Sequence, residues 1–381
     1  MQEYIKFLKD KSLLTALLVL FLMELSMQFG CYKPFLKKNS YAANVNRIAD
    51  HVISKANELD PDILILGTSL AYQGLSVPML NKKLEPFNLK VQSIAVPGGE
   101  IIVQGLILEK VLKTFKKVKY IIHVNEAEAP WIDQRIPSDA TLAMISEFNR
   151  IRAIEKIRED KYDVSYPELS FMLFKFIAYR RDIGDAILNP NRRIKDFGRM
   201  RKNVNNNPYE YENEYMESLS LYNFETIEKC LEITTPFSPI ASGSNDFHRD
   251  ALFKTCNLAK SSNLPLEKNE LTKIYELRLG NLYNFIQSKN IKIINVFPPL
   301  PSYLEFVNYP KRIEFWEKEF SHLIGKNEVI NLLHLIPKEN NPDYYYDLIH
   351  LNRKGMVVFS DKLGDSLIEY FQKINVGKGD K

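Results

Sequence analysis

Cysteine is scarce in this chain: three residues in 381, at Cys31, Cys230 and Cys256. They form no CxxC pair and no Cys/His combination at zinc-ligand spacing, which excludes a cysteine-based metal knuckle or a dithiol redox centre. In an exported chain Cys230 and Cys256 can pair. A basic face is lacking as well. Lys and Arg number 51 against 47 Asp and Glu, a formal net charge of +4. Clusters such as Asn191-Arg192-Arg193 and residues 199–202 stay short, so nothing marks a nucleic-acid surface. Gly98-Gly99 is not followed by the Lys-Ser/Thr of a phosphate-binding loop. His248 has no second His or Cys at ligand spacing and reads as part of a solvated loop. No internal repeat is evident. No cofactor, metal or nucleic-acid partner is expected.

Long apolar runs are also absent, with one exception. Residues 13–23 read LLTALLVLFLM, preceded by Lys6, Lys9 and Lys11 and interrupted by Glu24. The unbroken core has signal-peptide length; counted through Phe29 it approaches the roughly 17–25 residues of a spanning helix. A carboxylate near a helix end is tolerated by snorkelling or protonation. Three readings stay open: an uncleaved anchor over 1–31, a lipidated Cys31 after Gly30, and a buried helix of a soluble fold. The anchor is the leading one. Lysines on both sides (Lys33, Lys37 and Lys38 follow) leave the positive-inside rule nearly mute. An exported C-terminal domain is the default for such a segment.

With 45% hydrophobic residues the chain can bury a large core. Apolar spacing at Val45, Ile48, Ala49 and Ile53 predicts a helix over 42–59, stopped by Pro61. Apolar, β-branched runs at 63–66, 91–96, 120–124, 291–297 and 329–335 predict buried parallel strands. Helical stretches at 77–84 and 101–114 separate the first three, as βαβ units require. From 130 to 289 no comparable strand occurs. Helical pieces at 141–158, 169–186 and 271–287 flank a polar Asn- and Tyr-rich tract, 202–217, read as a mobile loop. The expected architecture is α/β: a doubly wound, mainly parallel five-stranded sheet of flavodoxin-like type. Its core is split into 42–129 and 290–375 around a helical insertion, 130–289.

Such a sheet places ligands at the carboxyl ends of its strands. Gly67-Thr68-Ser69, Pro97-Gly98-Gly99, Asn125-Glu126 and Pro298-Pro299 stand there, followed by a loop carrying Asp347 to Asn352. These residue types suit acyl transfer. Ser69 needs an imidazole to take its proton, and a carboxylate must fix that imidazole's tautomer. Asp347 three residues before His350 lets one tight loop present both. Backbone N–H groups of Ser69 and Gly98, with the Asn125 amide, are candidate oxyanion donors.

These residues resemble the motif blocks of the SGNH (GDSL-type) hydrolase superfamily. Gly67-Thr68-Ser69 is similar to the first block, Ser93 to Gly98 to the second, His123-Val124-Asn125-Glu126 to the third, and Asp347-Leu348-Ile349-His350 to the last. Gly355, opening a helix beyond, adds to the fit. Thr68 stands where the first block has Asp, His123 where the third has Gly, and Glu126 where it has Asp; the second lacks its Asn and first Gly. The resemblance covers the two core segments, and the insertion lies outside it. It implies Ser69 as nucleophile, His350 as base, Asp347 as its orienter, and Gly98 and Asn125 at the oxyanion.

The N-terminal anchor and helical insertion further resemble a membrane-linked branch that serves alginate O-acetylation and D-alanylation of teichoic acid. This implies an extracytoplasmic esterase or O-acyltransferase acting on an acylated envelope glycan or glycolipid, beside a membrane-bound O-acyltransferase. The alternative is a non-catalytic envelope protein of the same fold that binds glycan or such a partner. Three further features carry expectations of their own. His123 reads as a buried strand histidine or a partner of the site. His334 reads as core. Asp343-Tyr344-Tyr345-Tyr346 reads either as a sugar-stacking platform or as packing under the Asp347–His350 loop.

Overall fold

A computed structural model of the chain describes residues 10–33, 36, 40–132, 135–195, 266–300, 309–324, 328–337, 343–347 and 349–374. The tract 202–217, Cys230, Cys256 and His248 lie outside the described residues. Its main elements, in chain order, begin with α1 (Lys11–Gln28), α2 (Tyr41–Ser54), β1 (Ile63–Leu66), α3 (Ser69–Gly74) and α4 (Val77–Leu84). Next come β2 (Val91–Ser93), α5 (Ile101–Leu112), β3 (Tyr120–Val124), α6 (Asp139–Ile145) and α7 (Arg150–Glu159). Then follow α8 (Tyr166–Leu173), α9 (Lys175–Ala178), α10 (Arg180–Leu188), α11 (Glu270–Ser288), β4 (Lys292–Phe297), α12 (Tyr309–Ile324), β5 (Glu328–Asn331) and α13 (Arg353–Lys373). Contacts divide the chain into two compact units: Met1–Arg47, Ile136–Arg158 and Tyr162–Asn205 form one; Ile48–Arg135, Glu159–Lys161 and Asn206–Lys381 form the other.

The second unit holds one five-stranded sheet in the order β2-β1-β3-β4-β5, every pairing parallel. That is the doubly wound, flavodoxin-like order. Alternation along the strands explains the two faces. Ile63, Ile65, Ile122, Val124, Ile294 and Val296 share a core with α4 and α13 residues such as Leu80, Leu84, Phe359, Leu363 and Phe371. The odd–even partners point the other way: His123 meets Gln104 of α5 and Tyr283 of α11, and Phe297 packs edge-on against Trp316 of α12. All four side chains of β1 are fully buried. Each contributes about 1.5–3 kcal/mol by leaving water, which is why an unbroken apolar run here reads as a central strand.

The expected strands are present with altered ends. The 91–96 run is strand only to Ser93, where Ser93 Oγ accepts from Ala95 N at 3.3 Å. Backbone pairing to the β1 segment still continues: Ile94 N donates to Ile65 O and Val96 N to Gly67 O. The 329–335 run ends as strand at Asn331, whose side chain accepts from Leu333 N and turns the chain. His334, expected in the core, is therefore exposed on that turn.

The first unit is helical in its described residues. The stretch expected as 141–158 is broken into α6 and α7, and 169–186 into α8, α9 and α10. α1 is long and apolar enough to cross a membrane. Of its residues only Met27 is buried, so the buried-helix reading fails. Glu24, the charge that interrupts the apolar run, has a structural partner. Its carboxylate accepts the backbone N–H of Lys175 and of Phe176, each at 2.9 Å, and bonds the Gln28 amide. The charge is met by hydrogen bonds to the first turn of α9. Beside it, Lys175 Nζ reaches Tyr32 Oη at 2.7 Å and Glu147 at 3.1 Å, and Tyr32 stacks on Tyr179.

Candidate active site

The carboxyl end of β1 breaks its extended course at Gly67, whose φ is +153°. A Cβ there would stand 2.9 Å from the Cβ of Ala71 and 3.0 Å from Val124 O, so glycine is required on both conformational and steric grounds. Thr68 then caps α3 and makes a short hydrogen bond through Oγ1 to the Glu126 carboxylate. Ser69 becomes the first residue of α3, at the sheet's rim.

His350 and Asp347 reach the same rim from the loop between β5 and α13. That loop is pinned as a narrow antiparallel ladder: Tyr345 bridges Leu351, Tyr346 N donates to His350 O at 3.0 Å, and Asn352 N donates to Tyr344 O at 2.9 Å. Asn352 also caps α13, accepting from Gly355 N, and ties back through Nδ2 to Asp343 O. Inside the ladder Asp347 Oδ1 accepts from Ile349 N and His350 N, at 2.9 and 2.7 Å, leaving Oδ2 for the imidazole.

Ser69 Oγ lies 2.8 Å from His350 Nε2, and His350 Nδ1 lies 2.8 Å from Asp347 Oδ2, although serine and histidine are 281 positions apart in sequence. The hydrogen on Nδ1 is dictated by its carboxylate neighbour, so the neutral ring offers a lone pair at Nε2 to the serine hydroxyl. Burial pushes the imidazole down, but the Asp347 charge and hydrogen bond, with the Glu126 charge, outweigh it and hold His350 above its usual value. Burial likewise pushes the Asp347 carboxyl up; the His350 charge and hydrogen bond and two backbone N–H groups reverse that, holding it below the carboxylate range. The Tyr346 ring stacks on the His350 ring at 5.5 Å between centroids and 18° between planes. An activated hydroxyl beside an oriented base is what nucleophilic attack on an ester needs.

Gly98 and Asn125 stand at the same rim. Val96 N donates to Gly67 O at 3.0 Å, which lays the Pro97-Gly98-Gly99 turn beside the start of α3, with Gly98 at φ +69°. Asn125 lies two residues beyond the Leu66↔His123 pair of the register, and its backbone N donates to Val296 O. Its side chain is buried and bonded to Asn295 and to His123 O, an internal connection not anticipated from the sequence. Tyr345 is fully buried and Tyr346 is taken up by His350, while Tyr344 lies under the Lys354 ammonium. Packing under the Asp347–His350 loop accounts for the tyrosine run. Among the described residues no cluster of His, Cys, Asp and Glu has the makings of a metal site.

Tyr283 and Asn295 are neighbours that the sequence did not single out, whereas Glu126 and Tyr346 were named at the rim and in the tyrosine run without their partners Thr68 and His350. Asn295 alone left a signal, as a polar residue inside the apolar run 291–297. No protein-family profile matches the chain, and no curated protein is significantly similar to it.

Proposed function

We propose that the chain is a serine esterase or O-acyltransferase of SGNH type, held at a membrane by α1 and acting outside the cytoplasm on acyl esters of an envelope glycan or glycolipid. The observation that carries this reading is the continuous Ser69–His350–Asp347 hydrogen-bond line, 2.8 Å at each link. Ser69 Oγ attacks the acyl carbon while its proton passes to His350 Nε2. The oxyanion so formed is held by the backbone N–H groups of Ser69 and Gly98 and by the Asn125 amide. Collapse of the tetrahedral intermediate breaks the C–O bond to the leaving sugar, which takes the proton from His350. Water or a second hydroxyl, deprotonated by the same imidazole, releases the acyl group from Ser69.

A fluorophosphonate probe should label Ser69 in the wild-type chain, and p-nitrophenyl acetate should turn over, with Ser69→Ala inert to both. A wild type that neither reacts with the probe nor hydrolyses the ester removes the enzyme reading and leaves a glycan- or partner-binding protein. Loss or gain of envelope-glycan acylation in a deletion strain identifies the acceptor class, and a co-purifying membrane O-acyltransferase would identify the partner.

The membrane placement rests on α1 and on its unit's other apolar side chains that face outward, Ile187, Leu188 and Ile194 among them. Arg181, Arg192 and Lys195 are exposed alongside them, a pattern suited to a lipid headgroup region. With Ile187→Trp in bilayers of brominated lipid, quenching of the new tryptophan is expected, and its absence excludes this surface from the membrane. Cys31, exposed just past α1, should react with an impermeant maleimide added to intact cells. Protection of Cys31 until lysis would reverse the orientation.

A further inference from the structure

The helical unit holds an apolar cavity of about 310 Å³, lined entirely by its own residues. One wall is the C-terminal end of α1, where Met23, Ser26 and Met27 fall on one helical face. The other is α10, with Tyr179 at its N-cap and Ile183, Ala186 and Ile187 following at i+4, i+7 and i+8. That spacing makes an apolar stripe, and such a stripe needs a partner to cover it. Here the cover is partial. Met27, Tyr32 and Leu36 pack with Tyr179, while Ile183 is only partly buried and Ile187 and Met23 are exposed.

The cavity offers little to a polar ligand. Among the described residues that line it, the polar side chains are engaged within the unit. Ser26 Oγ donates to Met23 O at 2.7 Å, and Asp182 accepts from Ser40 Oγ at 3.0 Å. Tyr32 Oη donates to Glu147 at 2.6 Å and accepts from Lys175 Nζ at 2.7 Å. The Cys31 thiol, also on the wall, is only a weak hydrogen-bonding group. Water placed there finds few partners, and apolar walls with nothing between them forfeit their packing contacts. The fitting occupant is apolar.

Size narrows the choice further. At ~30 Å³ for each water-sized group, the cavity accommodates about ten of them. A helix, about 10–12 Å across with its side chains, does not enter such a space; a single unbranched hydrocarbon chain does. α1 indicates where that chain comes from. It is long and apolar enough to cross a membrane, and it exposes Leu17, Leu18 and Phe21 along its length. A cavity walled by the end of that helix lies beside lipid once the helix is in a bilayer. Met23 and Met27 on its wall are unbranched, adaptable side chains that suit an occupant of variable length.

We infer that this cavity takes one acyl chain of a bilayer lipid, packed between α1 and α10 so that it completes the core of the helical unit. The inference rests on the membrane placement proposed for α1 and is independent of the chemistry proposed for Ser69.

The test uses the full chain in phosphatidylcholine bilayer discs whose lipid carries a diazirine in its acyl chain, with adducts located by peptide mass spectrometry after irradiation. Met27 and Tyr179 report on the cavity, because both are buried and meet lipid only through it. Leu18 and Phe21, exposed on α1, report contact with the bilayer at large. Adducts are expected at all four positions. Ala186→Trp fills the cavity from α10 and should cut the Met27 and Tyr179 adducts about 10-fold or more, with those on Leu18 and Phe21 kept within about twofold. Ser26→Phe fills it from α1 with the same expected result, and it decides should Ala186→Trp fail to fold. Wild-type adducts on Leu18 and Phe21 but not on Met27 or Tyr179 overturn the inference and leave the membrane placement standing; that is the pattern if another segment of the chain or a protein partner occupies the cavity. Met27 and Tyr179 adducts that neither variant reduces overturn it as well. Absence of adducts from all four positions removes the membrane placement, and the inference with it.

Discussion

Asp347 sets both the tautomer and the charge of His350, so its removal should act on rate and on pH dependence together. Asp347→Asn leaves room for the loop but presents an amide to Nδ1, and kcat should fall by about 10⁴. In the wild type the base must be neutral to accept the Ser69 proton. Because His350 titrates above the ordinary imidazole value of ~6.5, kcat/KM should rise with pH along a limb centred above that value. Glu126 contributes to the elevation, so Glu126→Gln should move the limb to lower pH; a limb that stays put would remove Glu126 from the electrostatics of the site. The same shift has a stability consequence. A raised imidazole stabilises the fold fully below its unfolded value and loses that contribution as pH rises through the folded one. Asp347, held low, behaves oppositely: its contribution is present above the ordinary carboxylate value and disappears as pH falls through the folded one. Ser69, Asp347 and His350 were legible because nucleophilic chemistry restricts their types and their places after strands. Tyr283 was not, because a tyrosine in a helix carries no mark of the neighbour it will meet; Glu126 and Tyr346 were named there without the Thr68 and His350 contacts they make.

Among the elements, the β1–α3 junction carries the sharpest geometric demand. Gly67→Ala must place a methyl within 3.0 Å of Val124 O and against Ala71 while holding φ at +153°. A loss of about 1–3 kcal/mol is expected from the backbone strain, and it should appear as a lowered denaturant midpoint with an unchanged slope. Equal midpoints for variant and wild type would mean that the junction relaxes. At the other end of the site, Asn352→Ala removes the cap of α13 and the tie to Asp343 O together. About 1 kcal/mol of stability should go with the cap, and activity should fall further than stability because the loop holding Asp347 and His350 is anchored there. Strands were readable from uninterrupted β-branched apolar runs, since a strand covered on both faces has no polar periodicity to confuse it. Their ends were less so. Ser93 and Asn331 redirect the chain by side-chain hydrogen bonds to backbone two residues on, a choice that hydrophobicity does not record. Of the helices expected in the insertion, 271–287 is continuous as α11, while 141–158 and 169–186 are broken, the latter at Phe174, where the backbone is extended and α9 begins.

On the scale of the whole molecule, the two compact units differ in what their cores depend on. The sheet unit has a large core of its own, drawn from strands and helices between Ile63 and Phe371. In the helical unit one small cluster comes mostly from the N-terminal segment: Met27, Tyr32 and Leu36 pack with Tyr179. Glu24 supplies the acceptors for Lys175 N and Phe176 N, and Tyr32 bonds both Glu147 and Lys175. Cutting away residues 1–36 therefore removes more than an apolar helix long enough to cross a membrane. It strips three of the four buried residues of that cluster, and it leaves Glu147 and Lys175 without the hydroxyl that bonds them both. Hydrogen exchange on the truncated chain should show α8, α9 and α10 losing protection while β1, β3 and β4 keep theirs, and Ser69 should still react with a fluorophosphonate. Glu24→Leu in the full chain isolates one part of this: the backbone N–H groups of Lys175 and Phe176 lose their acceptor at a cost of about 1–3 kcal/mol, confined to α9 and its neighbours. Retained protection throughout 166–188 in the truncated chain would show that the helical unit holds itself together and that α1 serves only to tether. The opposite result makes the apolar helix part of the fold, which explains why a carboxylate survives within an otherwise unbroken hydrophobic run.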